Sequence, residues 1–305
     1  MDILNKLVSN VLPLYAFIGV GYIASRWLGL KSKFVSVVLL YGLIPLVIFD
    51  NLVEADLMQF VVVAAIVFLM CLLMSIPGWL THKYLVKDFN KYLLSCGFSY
   101  FNIGWFGIPV VLAIFGEERL PLIISAYMGN VFYGNTIGYF LVSRSKELPV
   151  KESVKNVFMI PAIYACVAAI IANIAGFEMP ESLSPVMEGA SWVLSALGMV
   201  MIGIGLSKVN LKETDYRKFG KIIGVRYLAA GVIMGLLVLG EAGVIGQLEA
   251  EEQMLLLMLP AFPIAANLVV FASFLETEEK EASLLVSLTS IISLIVVPIA
   301  SLLLF

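Results

Sequence analysis

Apolar stretches of about 20 residues recur along nearly the whole chain, and most of them carry no charged residue. A bilayer with a hydrocarbon core of about 30 Å is spanned by about 20 helical residues. Windows of that kind fall at residues 8–27, 34–53, 59–80, 92–115, 120–142, 157–175, 185–206, 219–240, 253–274 and 282–304. The spacers between them are too short to fold as a soluble domain. Of the 305 residues, 61% are hydrophobic and 13% are charged, against roughly 25% charged in a soluble domain. With a mean hydropathy of +1.01, this surplus cannot be buried in an aqueous core. The expectation is an all-α membrane protein of ten transmembrane helices embedded in the lipid bilayer.

Charge placement orients the spans. Every basic residue except Lys6, Arg119 and Arg226 falls in or beside the loops that follow spans one, three, five, seven and nine. The opposite loops are acidic, with Glu54, Asp56, Glu117, Glu118, Glu178, Glu181, Glu241, Glu249, Glu251 and Glu252. Because Lys and Arg are retained on the cytoplasmic side, both termini are expected to face outward from the cytoplasmic (inner) membrane. The first span has no small-residue cleavage site after it and is expected to be retained rather than removed as a signal peptide. A net charge of −3 and pI of about 5.3, with the positive charges confined to short loops, exclude a nucleic-acid footprint.

Reactive constellations are missing from the sequence pattern. Cys71, Cys96 and Cys166 lie in apolar runs without CxxC spacing, and His82 is the one histidine, so no metal centre, cofactor or disulfide framework is indicated. An intramembrane enzyme needs a paired-aspartate, Ser/His or metal grouping within the spans. No such grouping is present, and the chain reads as a non-enzyme.

Two halves of about 150 residues share their punctuation. NVLP at residues 10–13 opens the first half and NVFMIP at 156–161 the second, giving repeats at 1–142 and 157–305 joined by a short cytoplasmic linker at 143–156. Five crossings are an odd number, so the second repeat runs inverted. Span four contains FNIGWFGIP (101–109) and span nine contains LPAFPIAAN (259–267). Their Gly104, Gly107, Pro109, Pro260 and Pro263 predict broken helices at mid-membrane. Matched breaks in inverted repeats point to a transporter site, since freed backbone groups persist only where protein or a wet cavity satisfies them. The second half-helices are expected to start near Pro109 and Ile264, presenting N-terminal N–H groups to an anion.

The stretches YGLIPLVIFDNLVEADL (41–57) and FNIGWFGIPVVLAIFG (101–116) resemble the auxin efflux carrier family, which includes plant PIN-like carriers and bacterial malate and malonate permease-like proteins. The resemblance covers essentially the whole chain. It implies the fold of the bile-acid:sodium symporters, with a transport domain sliding as an elevator against a scaffold, and a homodimer. It also implies that the crossover asparagine, Asn102, lines a site for a small organic anion, and that the second crossover spans residues 259–264 with Pro260 as its first proline. Linker 143–156 lacks the long hydrophilic insertion of many plant members.

Candidate substrate-site residues are therefore Asn102, Gly104, Gly107, Ile108, Pro109, Pro260, Ala261, Pro263, Ile264 and Asn267. The two amides can donate to a carboxylate or cap unwound backbone. Asn130 and Asn135, in the small-residue stretch GNVFYGNTIG, suit close helix packing. Together with Asp50 and Arg226 they are the candidates for coupling or gating, because charge inside a membrane is functional by default, although snorkelling would serve either charge equally. Glu188 and His82 read as solvated. The residues leave sodium and proton coupling open, and a channel or a non-transporting receptor is the competing function.

Overall fold

The computed structural model describes residues 12–53, 57–115, 119–159, 161–207 and 215–304. Lys6, the first residues of the NVLP motif, Glu54, Asp56, Glu117, Glu118, Lys208 and Lys212 lie outside them. The described residues form helices joined by turns and short extended stretches, and among them the sole β-type pairing is an isolated antiparallel bridge between Phe101 and Ile264. Chain order gives α1 (Leu12–Leu28), α2 (Ser32–Val53), α3 (Leu57–Tyr84), α4 (Lys91–Ser99), α5 (Ile108–Phe115), α6 (Leu120–Tyr133) and α7 (Tyr139–Ser145). They are followed by α8 (Val150–Phe158), α9 (Pro161–Ile174), α10 (Ser184–Ser207), α11 (Tyr216–Gly240), α12 (Ala250–Met258), α13 (Asn267–Phe274) and α14 (Glu279–Leu304). Wider π-turns lie within α2 at Leu39–Leu43, before α5 at Ile103–Gly107 and between α6 and α7 at Gly134–Gly138.

Local chemistry sets the ends of these helices. The Asn90 side chain accepts from the N–H groups of Tyr92 and Leu93 at 3.0 and 3.3 Å, which starts α4. Asp215 caps α11 through the N–H of Lys218 at 3.0 Å, and Glu249 with Glu252 forms a capping box on α12. Beyond α1, Gly29 takes φ +66° and Leu30 returns its N–H to the carbonyl of Ala24, a left-handed stop that a side chain resists.

Among the described residues five helices are long and apolar enough to cross a membrane: Ser32–Val53, Phe60–Tyr84, Glu181–Ser207, Tyr216–Ile245 and Glu279–Leu304. The protein is a multi-pass, all-helical membrane protein. One expected loop is not a loop: linker 143–156 carries most of α8, which the sequence pattern hid because the segment is polar on average.

Packing divides the helices into two clusters. α1 lies along α10, and α2 lies along α9 and α10. The α1–α10 contact is reciprocal backbone against backbone: a Cβ on Gly21 would sit 2.1 Å from the carbonyl oxygen of Val200, and one on Gly203 2.0 Å from that of Ile18. Such small residues let membrane helices approach closely. In the other cluster α3 packs on α4, α6 and α11, while α14 packs on α12 and α13. The clusters meet where α10 runs beside α13, α14 and the π-turn 103–107, and where α2 meets α13. The two interrupted helices cross inside the second cluster, beside this seam.

Candidate functional site

The site is built on two short stretches of extended chain. α4 stops at Ser99, Tyr100 turns extended, and Asn102 donates its N–H to the carbonyl of Pro263 at 2.8 Å. In return Ala265 donates to the carbonyl of Tyr100 at 2.9 Å, closing the bridge. Phe101 has both of its backbone groups held by one side chain: Asn130 on α6 accepts from the Phe101 N–H at 3.1 Å and donates to its carbonyl at 2.7 Å. An amide is the side chain that can do both at once.

The second break follows α12 through a single 3₁₀ turn, Leu259–Ala261, which includes Pro260. Phe262 is extended, with φ −73° and ψ 148°, as expected of the residue before a proline. Between Ala261 and Ala265 backbone groups find partners on other elements. Ser293 donates to the carbonyl of Ala261 at 2.9 Å, Arg226 to that of Phe262 at 3.2 Å, and the Ile264 N–H donates to the hydroxyl of Thr289 at 3.1 Å. All of these residues are buried, where an unpaired backbone group costs about 1–3 kcal/mol.

In the first crossover α5 begins at Ile108, near Pro109 as expected, but the chain is interrupted upstream of the glycines and proline, at Tyr100–Asn102. Gly104 and Gly107 belong to the π-turn, and Pro109 is the second residue of α5, where a missing N–H costs nothing. The chain is interrupted at Tyr100–Asn102 because Asn130 captures Phe101, an interaction from 29 residues away. Likewise the second helix restarts at Asn267, and Ile264 belongs to the bridge. The glycines serve packing. A Cβ at Gly104 would lie 2.5 Å from the Tyr127 ring, and one at Gly107 2.5 Å from the Phe262 ring.

Arg226 on α11 is fully buried, at 0% exposure, so it does not snorkel. Its Nε donates to the carbonyl of Gly97 at 3.3 Å and one terminal nitrogen to that of Phe262 at 3.2 Å. Those carbonyls lie at the C-terminal ends of the first halves of both broken helices, where the helix dipole is negative. The guanidinium also stacks 4.4 Å from the Phe101 ring centroid, a cation–π contact that strengthens on desolvation. Through carbonyls and rings, one cation ties the two breaks together.

Between the two breaks lies a small cavity lined by Asn102, Gly104, Tyr127, Ala265, Ala266 and Asn267, with Tyr100, Phe101 and Asn130 completing the wall. It is bordered by the π-turn that leads into α5 and by the first residue of α13. Its volume of about 10 Å³ holds roughly one water molecule, and a carboxylate would require the walls to part. Asn267 donates to the hydroxyl of Tyr100 at 2.9 Å, and its Oδ1 is buried without a partner. Rotating that amide would let it accept from Tyr100 and direct two N–H donors elsewhere at no loss of that bond.

The remaining candidates are more dispersed. Ile108 opens α5, half-buried, and Ala261 is held by Ser293. Asn135 lies in the π-turn 134–138, donating to the carbonyl of Val131 at 2.9 Å. Asp50 is half-buried in the last turn of α2, in the other cluster. A far larger cleft of about 950 Å³ opens between the α1–α2 and α13–α14 turns, remote from the crossover. There Lys33 of the first cluster pairs with Glu276 of the second, and this ammonium lowers the Glu276 carboxyl below its usual range. Nothing in the sequence marks Thr289, Ser293 or Tyr127, because a hydroxyl in an apolar helix carries no local signal of what it caps.

The sequence profile of the family described as "Membrane transport protein" matches residues 6–301. The uncharacterized transporter MJ1031 of Methanocaldococcus jannaschii is 25% identical over 300 residues, covering 94% of this chain and 95% of that protein. With a match over nearly its full length, the chain belongs to this membrane transport protein family, that of the auxin efflux carriers.

Proposed function

We propose that the protein is a secondary active carrier that moves small organic anions, mono- or dicarboxylates, across the cytoplasmic membrane. The observation that carries this reading is the meeting of the π-turn that leads into α5 and the start of α13, with Asn102 and Asn267, at one cavity. Helix N-termini favour an anion without a buried Lys or Arg as its ligand. In this reading the chain forms ten spans in two inverted repeats, 1–142 and 157–305. The cluster of α1, α2, α9 and α10 is the scaffold, and the seam along α10 sets the sliding path of the other cluster. The carrier works as a homodimer.

Uptake by the purified protein in liposomes tests it, screened over labelled mono- and dicarboxylates with imposed sodium or proton gradients. Saturable, gradient-driven uptake is expected. Flux that fails to saturate would mark a channel, and binding without flux a receptor. Asn102→Ala is expected to weaken anion binding about tenfold, as for loss of a hydrogen bond to a charged group worth about 1.5 kcal/mol. Its backbone bond to Pro263 survives the substitution. Unchanged affinity on equally folded protein would place the anion elsewhere.

With both termini outside, a cysteine at Lys151 should react with an impermeant thiol reagent only from the cytoplasm, and one at Glu249 only from outside. Labelling of position 151 from outside would overturn the orientation.

A further inference from the structure

α8 is short, follows directly on α7 and leads directly into α9. Val150, Val154 and Phe158 recur every four residues, so they share one face, and all three are exposed, at 57%, 42% and 59%. Lys151 and Lys155 flank that face on one side, and Glu152 points away from it, all exposed. On the other side Ser153 is fully buried, with its hydroxyl 3.2 Å from that of Ser143 on α7. The hydroxyl of Tyr164 on α9 donates to the carbonyl of Phe158 at 2.7 Å. The turn before the helix is fixed as well, since Arg144 donates to the carbonyl of Leu148 and stacks on Tyr92. Held at both ends, the helix cannot roll its apolar face into the protein.

We infer that α8 is a membrane-surface anchor: Val150, Val154 and Phe158 lie in the acyl boundary of one leaflet, and Lys151 and Lys155 bind anionic phospholipid headgroups. Two features select lipid as the occupant. The helix joins two apolar helices, which hold it at the level where hydrocarbon meets headgroup. Its charge also complements that level, with ammonium groups at the edge of the apolar face and the carboxylate turned away. That the leaflet is the cytoplasmic one rests on the orientation proposed above; contact with lipid does not. The anchor then fixes to the bilayer the one connection between the two halves of the chain.

The test places a nitroxide on Val154→Cys or Glu152→Cys in the full-length protein, in nanodiscs of phosphatidylcholine alone or mixed with phosphatidylglycerol. The native Cys71, Cys96 and Cys166 are buried, and the unsubstituted chain supplies the background. Relaxation by oxygen should exceed relaxation by a water-soluble nickel chelate at 154, with the reverse at 152. Position 154 should lie deeper in the mixed lipid, and combined Lys151→Glu and Lys155→Glu substitutions should abolish that difference between lipids. Nickel accessibility at 154 equal to that at 152 would overturn the anchor. So would spin–spin broadening at 154, which marks a second copy of the chain on this face. Equal depth in both lipid mixtures would overturn the headgroup assignment to the lysines.

Discussion

Arg226→Met is expected to abolish transport and to lower stability by about 2–6 kcal/mol, because it leaves the carbonyls of Gly97 and Phe262 buried without donors, each at about 1–3 kcal/mol. Replacing a buried ionic group by an apolar one of similar volume is often neutral when both partners are replaced. Here the acceptors are backbone and remain. Arg226→Lys keeps the charge but brings a single point of donation where the guanidinium forks between two helices. It should recover part of the stability and less of the transport. Thermal unfolding in lipid nanodiscs and uptake in liposomes measure the two. Arg226→Met with an unaltered unfolding midpoint and full uptake would show that the two carbonyls find other donors and that the cation does not hold the crossover together.

Arg226 also marks how far the sequence could be read. An arginine within an apolar helix announces itself, but its partners are backbone groups 129 and 36 residues away, and a carbonyl leaves no trace in residue type. The second break was legible for the opposite reason: Pro263 imposes an extended Phe262 from the next position, a strictly local effect. At the first break the local signals located the start of α5 at Ile108 but not the interruption at Tyr100–Asn102. Gly104, Gly107 and Pro109 are tolerated within helical turns, and the interruption at Phe101 is imposed by a side chain on another helix. The apolar windows translated readily into helices because lipid solvent leaves a long uncharged run few alternatives. α8 escaped because its apolar residues are spaced four apart among lysines, which average out to the polarity of a loop.

Asn130→Ala should be nearly as damaging as the loss of Arg226, and its signature should appear at a distance. The substitution orphans the N–H and the carbonyl of Phe101 together, again about 2–6 kcal/mol for two buried groups. Phe101 is the centre of the bridge, flanked by the bonds from Asn102 to Pro263 and from Ala265 to Tyr100. Loosening it therefore loosens the second crossover, although Asn130 makes no hydrogen bond to that segment. Asn130→Asp retains an acceptor for the Phe101 N–H but, as a carboxylate, cannot donate to the carbonyl, and should recover at most half of the loss. Amide hydrogen exchange in nanodiscs reads this directly. In Asn130→Ala, peptides covering residues 96–106 and 259–266 should both exchange faster, while α1 and α10 in the other cluster should not change. Faster exchange confined to α6 itself would mean that the two breaks are stabilised independently and that the bridge does not couple them.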